Sequence, residues 1–474
     1  MKTNTVILII AIFAFLTPEA SAQYRWGEDR LIAHFDNGVA VTGPGYSSFH
    51  CFYGTDSDVF VGIVEDSTSN LGDRFIIRKS FNNGLSWTRQ NTFSATTIQI
   101  FSPSFCIAPS TGNIFVVCSA SQGNETSLLI GREYSYDALF LVQNIDLEFE
   151  YPGAGLIRSS FVVANTTSDE VWLFVEDQND WLYLSRSSDL STWTPFEPVA
   201  VNVSRPSGEV CAEGNVAVTW SQSITGDIMC AVGSIDGSFQ PAVTVTTNAS
   251  TMATPIPAWE HLGEYNLGVI WHSDTGKSYL NLSSDGGETW GEDLFVVNGY
   301  YPYIDHFAGT RRMGACAVNE AGDVLVANAS NLSALPMAPF TVRSGHQATI
   351  DEPAKVAFGQ SSYQLALFYL TPTTEDFWFN SSVLTGIEEG EGHSVSPSVT
   401  AGPNPSAGSF SVSAAGFFGN AVYGVYSLDG RLITSSTSDT GGVTINGSQL
   451  PAGVYTIVVT DETGNTASCR MVRF

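Results

Sequence analysis

Basic side chains are scarce in this chain, 19 lysines and arginines against 47 acidic residues, so those that recur at matching places are the first candidates for chemistry. Arg158, Arg205 and Arg311 each stand five or six residues ahead of a small-residue stretch, at Val163, Cys211 and Cys316. A guanidinium presents a planar fork of donors that meets a carboxylate in two parallel hydrogen bonds, so several of them near one point would clamp an anion. Tyr301, Tyr303, Asp305 and His306 crowd into one segment just ahead of Arg311 and Arg312, and Glu352 holds a comparable place farther on. Phenols and carboxylates are groups from which nucleophiles and acid/base catalysts are made. Two turns open with Val-Glu-Asp, at Glu65-Asp66 and Glu176-Asp177, with Asp180 following the second. Lacking an acidic ladder at calcium-loop spacing, they read as solvated turns, and no metal is assigned. No phosphate-cradling glycine loop, zinc cluster or serine elbow occurs, so no cofactor is called for.

The elements that must carry these residues show themselves as a repeat. Val59 to Asp66 with Phe75 to Trp87, Val171 to Asp177 with Leu182 to Trp193, and Leu267 to Trp271 with Tyr279 to Trp290 lie over one another. Each reads as strand, tight turn, strand, then a polar turn closed by tryptophan. Corresponding places in the polar turns hold Ser80, Asn82, Gly84 and Trp87; Ser187, Asp189 and Trp193; and Ser283, Asp285, Gly287 and Trp290. The carboxylate or amide can accept turn N–H bonds, glycine supplies a positive φ, and tryptophan covers the turn.

The three tryptophans are about a hundred residues apart, and weaker strand pairs at Asn113 to Cys118, Asn215 to Trp220, Asp323 to Ala327 and Tyr363 to Phe368 halve that to a period of about 50. Before each second strand lies a shorter small-residue stretch: Phe49-His50-Cys51, Ser104 to Cys106, Ser160 to Val163, Glu209 to Cys211, Trp259 to His261, Gly314 to Cys316 and Lys355 to Ala357. Strands converging on an axis need small side chains, and seven such starts predict an all-β, seven-bladed propeller, with six blades as the alternative because little lies between Ala327 and Phe340. Leu31 to Val41 is expected to supply the missing outer strand of the last blade and close the ring. Cys51, Cys106, Cys211 and Cys316 recur on the innermost strands and read as buried thiols; Cys106 with Cys118 is the best disulfide candidate.

The pattern Ser-x-Asp-x-Gly-x-Thr-Trp, complete at Ser283 to Trp290, resembles the Asp-box (BNR repeat) of sialidase-like β-propellers. In that family the motif is structural. The resemblance further implies a site on the opposite face: Arg158, Arg205 and Arg311 as carboxylate clamp, Tyr301 or Tyr303 as nucleophile, Glu352 as its base and Asp305 as acid/base. This chain departs from the family in lacking an Arg-Ile-Pro in the first blade, where it has Tyr46 and, upstream, only Arg30-Leu31-Ile32. The expectation is therefore a noncatalytic propeller binding an extracellular glycan or protein, with a sialidase-like hydrolase of anionic sugars as the alternative. Trp181, Trp259 and Trp378 lie where an indole can stack on a sugar, although core packing is the preferred reading.

At the N-terminus, Lys2, the apolar run Val6 to Leu16, Pro18 and Ala20-Ser21-Ala22 form the three-part pattern of a secretory signal, so residues 1–22 read as a signal peptide and Gln23 as the first mature residue. Residues 23–386 then read as the propeller, 387–402 as a linker and 403–474 as a small β-sandwich. In the last of these, Pro403 to Gly408, the turn Asp429-Gly430-Arg431, Leu450 to Tyr455 and the tail Arg470 to Phe474 resemble the C-terminal sorting domain of the type IX secretion system. Its implied partner is that secretion machinery, and the implied location is the outer surface or the medium, reached through the periplasm. No later stretch is apolar enough for a membrane span, and a formal net charge of −28 argues against nucleic acid as a partner.

Overall fold

The computed structural model describes residues 23–26 and 30–34 and, with short interruptions, 49–385 and 398–474. The chain divides into two compact units, Met1–Gly386 and Ile387–Phe474. Strands dominate both, and no helix among the described residues is long and apolar enough to cross a membrane.

In the first unit the apolar runs become the middles of sheets. Val59–Glu65 and Leu365–Thr371 are buried at every position, whereas the outer strand Leu141–Ile145 is exposed at four of its five. A strand buried on both faces must have a sheet packed on either side, which is how blades stack around an axis. The first blade runs Phe49–Tyr53, Val59–Glu65, Arg74–Ser80, Arg89–Ser94, each strand antiparallel to the one before. Seven such sheets are present among the described residues. Their inner strands are Phe49–Tyr53, Gln99–Ile107, Ile157–Asn165, Val203–Val210, Ile256–Glu260, Tyr300–His306 and Lys355–Phe358. Each lies beside the next, and the last lies beside the first, so the ring is closed and the fold is a seven-bladed β-propeller.

The closing strand comes from the N-terminus, as the missing seventh outer strand required. Arg30–His34 pairs with the stretch from Asp376 to Phe379, and Gln23–Trp26 pairs with that from Ser382 to Thr385. The described strand covers 31–34 of the expected 31–41, and residues 35–48 lie outside the described residues.

Two expectations are corrected. Gly314-Ala315-Cys316 is not innermost: it sits in the second strand, Met313–Val318, and the expected second strand Asp323 to Ala327 belongs to the third, Val324–Ala329. Small residues are needed there because all six positions of Met313–Val318 are buried under neighbouring sheets, while the tyrosines of Tyr300–His306 take the inner place. The sparse stretch after Ala327 holds a 3-10 turn, Leu332–Met337, whose N-cap Asn331 accepts from the Ala334 N–H at 2.8 Å, before a two-residue outer strand Thr341–Val342. The disulfide is also absent. All seven cysteines are free; Cys106 faces Phe115 and Cys118 faces Ile130, so the two are not cross-strand partners. Burial pushes the Cys51 and Cys106 thiols up to about 12, leaving them protonated, small and apolar.

The second unit pairs Ser398–Gly402, Phe410–Ala415 and Gly442–Ile445 in one sheet. Leu432–Ser438, Ala421–Ser427, Gly453–Asp461 and Thr466–Arg473 make the other. Val412, Tyr423, Ile457 and Met471 fill the core between them. Ser398–Gly402 lies within the stretch read as linker.

Candidate functional site

The polar turns sit where the third strand of a blade ends, and they act as wedges between blades. Ser80, Ser187 and Ser283 accept through Oγ from the N–H of Gly84, Leu190 and Gly287 at 2.8 to 2.9 Å. A Cβ on Gly84, at φ 73°, would lie 2.1 Å from the Phe379 ring, so only glycine allows that approach. Trp87 then meets Phe379 of the seventh blade edge-on at 5.7 Å, and Trp193 meets Phe115 of the second at 5.6 Å. Trp290 packs on the core shared by the fourth and fifth blades.

On the channel axis the seven inner strands enclose a cavity of about 170 Å³, to which every one of them or its leading residue contributes lining. Three of these strands are built alike. Ser102-Pro103, Arg205-Pro206 and Tyr301-Pro302, in the second, fourth and sixth blades, each break the ladder register, between Phe101 and Ser104, Ser204 and Ser207, and Tyr300 and Tyr303. Proline has no N–H to give the ladder, and the residue before it takes a left-handed backbone, with φ of 47°, 54° and 44° respectively. Such bulges re-aim side chains, and here all three residues line the cavity.

Two cations share that lining, Arg205 and Lys355, at 8% and 6% exposure. Lys355 Nζ donates to the Phe49 carbonyl at 2.6 Å and lies 5.7 Å from the centre of the Tyr303 ring. His50 accepts the Phe105 N–H through Nδ1 at 3.0 Å, while burial and then the Lys355 charge push its pKa down to about 3. The ring is therefore neutral and carries its proton on Nε2. Beside the cavity, His272 lies edge-on to Tyr301 at 4.5 Å, and burial, followed by the Arg205 charge, holds it down to about 4.

Of the residues singled out in the sequence, Arg205, Tyr301 and Tyr303 come together on this cavity. Burial raises the Tyr303 phenol well above its ordinary range, so it stays protonated. Asp305 lies farther along the same strand and accepts the N–H of His306 at 2.9 Å. Arg158 is not among the lining residues: it pairs with Asp180 at 2.6 Å and Glu176 at 3.2 Å and donates to the Gln178 carbonyl at 3.2 Å. Arg311 and Glu352 lie outside the described residues, as does Asp66. Asp177 is a turn organiser, accepting from the N–H groups of Gly155, Asn179 and Trp181. No group of three or more metal-ligating side chains occurs among the described residues. Trp259 is core, Trp378 is partly buried, and Trp181 alone of the three is exposed. Sequence reasoning missed Ser102, His50 and Lys355. The recurring X-Pro just ahead of the small-residue stretches was the available signal for Ser102, and His50 and Lys355 carried none.

Similarity to known proteins bears on the two units differently. No curated protein matches the chain in sequence. Among solved structures, the BP39L lectin of Burkholderia pseudomallei is 11% identical with a TM-score of 0.54, covering 73% of this chain and 98% of its own. PorZ, a surface component of the type-IX secretion system of Porphyromonas gingivalis, is 13% identical with a TM-score of 0.42 over 90% of this chain; the chain spans 59% of the length of PorZ. The NanB sialidase of Streptococcus pneumoniae is 10% identical, with a TM-score of 0.41, covering 74% and 70% of the two chains. These likenesses are of fold alone. Residues 402–472, by contrast, match the family model of the secretion system C-terminal sorting domain, so the chain carries a sorting domain that marks it for type IX export to the cell surface or the extracellular space.

Proposed function

We propose that the propeller is a noncatalytic binding cargo of type IX secretion, and that it holds an extracellular ligand, part of a glycan or a protein, at its channel mouth. One observation carries this reading: a cavity on the ring axis, lined from all seven blades, into which bulged strands turn selected side chains, Arg205 among them. Cavities with a few convergent polar groups on an otherwise apolar wall are where ligands bind. The test is a glycan array and a panel of extracellular proteins probed with the mature chain and with Arg205→Met. Binding that is lost in the variant supports the reading, and binding indifferent to it removes the channel mouth as the site.

A hydrolase remains the second reading because Arg205, Tyr301 and Tyr303 share the cavity. Against it stand a Tyr303 phenol held protonated and an Arg158 already engaged by two carboxylates. Turnover of a chromogenic sialoside above the level of a Tyr301→Phe variant would reverse the preference.

A further inference from the structure

We propose that the ligand group received by the channel cavity is a carboxylate attached to an apolar residue, specifically the C-terminus of a polypeptide ending in a medium-sized apolar side chain. The inference rests on the reading of the channel mouth as the ligand site and names what that site takes.

The donors come first. Arg205 and Lys355 reach one small cavity from blades four and seven, each more than nine-tenths buried, in a chain whose formal net charge is −28. Ser102 lines the same cavity at 8% exposure, and its Oγ has no hydrogen-bond partner among the described residues. A buried hydroxyl without a partner costs free energy that a ligand atom can recover. His50 adds an Nε2–H donor. Oxyanion chemistry answers all four groups.

What surrounds the donors separates a peptide end from a sugar. Three hydroxyls of the lining already have partners in the protein: Ser104 accepts from the Val162 N–H at 3.1 Å, Ser159 donates to Glu176, and Ser160 bonds Ser119 at 2.8 Å. A pyranose brings a hydroxyl on nearly every carbon, and those turned to the apolar walls would enter unpaired. The remaining walls are apolar, from Pro103, Phe161, Pro206, Ile256 and Pro302. At about 170 Å³ the cavity lies below the roughly 300–1,000 Å³ of drug-sized ligand sites, so it takes one end group and not a whole oligosaccharide. A terminal carboxylate with one apolar side chain meets the positive charge of the cavity and covers its walls together.

The experiment is calorimetric titration of the mature full chain with N-acetyl-leucine, N-acetyl-leucine amide, isovalerate and glucuronate. N-acetyl-leucine is expected to bind and its amide to be silent; isovalerate bound as tightly as N-acetyl-leucine would make the ligand a free organic acid and overturn the peptide assignment. Lys355→Met should weaken N-acetyl-leucine by about tenfold or more, the usual loss for a charge-assisted hydrogen bond. Ser102→Gly keeps the test independent of folding: it removes the hydroxyl while relieving a left-handed backbone, so affinity should fall by about threefold or more with no fall in Tm. Acid and amide binding alike, or neither binding, overturns the inference. If a glycan or protein found in the array or panel still needs Arg205 while N-acetyl-leucine is silent, the channel mouth stands as the site and only its assigned ligand fails.

Discussion

Asp285 accepts the Thr289 N–H at 2.9 Å and the Ser283 hydroxyl at 2.7 Å, and these bonds, with that from the Thr289 hydroxyl, hold its pKa down to about 2. In the first blade Asn82 does the same work with its amide oxygen, accepting the Ser86 N–H at 2.9 Å. Asp285→Asn should therefore leave Tm nearly unchanged, whereas Asp285→Leu should lower it measurably in a thermal melt. Because the folded pKa lies below the unfolded one, this contribution is present above about pH 4 and is lost as pH falls through about 2. His306 titrates in the opposite sense. Burial disfavours its charged form, but Glu209, 2.6 Å away, and then Asp305 outweigh burial and lift the pKa to about 9. Its contribution is complete below about pH 6.5 and disappears as pH rises through about 9. Chemical denaturation from pH 6 to 10 should show that fall in the native protein and a flatter profile in His306→Gln; equal slopes would refute the pairing.

Elements alternate around the ring. The tryptophan-closed turns belong to blades one, three and five, and the X-Pro bulges to blades two, four and six, so the structural unit is a pair of blades. That explains why tryptophans recur at about twice the period of the strands. Each tryptophan is a wedge on the preceding blade, and Trp193→Ala should cost about 2–3 kcal/mol in denaturant unfolding, against less than about 1 for the exposed Trp181→Ala. The repeat was legible because strand pairs and turns are local, with their glycines, hydroxyls and apolar runs adjacent in sequence. Blade six was misread by one strand because small residues serve equally at an inner strand and at a second strand buried on both faces, and only the pairing of Tyr303 with Cys316 separates the cases. The cavity was half legible. Arg205, Tyr301 and Tyr303 stood out because they precede small-residue stretches, although all three lie within inner strands, whereas Lys355 and His50 sit inside strands whose pattern reads as core, and their meeting depends on closing the ring.

Closure is a property of the whole chain, since it joins residue 23 to residue 385 across the entire first unit. Asp376–Thr385 has the second strand of its blade on one edge, and only the N-terminal segment supplies the other. An open edge of this kind is a template for pairing with another chain. Removing residues 23–34 should therefore do more than subtract a few hydrogen bonds. Lys355 and His50 lie on the two inner strands that meet where the ring closes, so loosening the seventh blade separates two sides of the cavity as well as exposing an edge. The shortened protein is expected to form dimers or larger species in light scattering and to lose ligand binding before it loses strand content by circular dichroism. Cutting the chain after residue 386 is the control, because the second unit has its own core. That cut should leave the melting temperature and binding of the propeller unchanged while abolishing export. A truncated 23–34 variant that stays monomeric with full binding would mean that the six remaining blades hold the seventh without a clasp.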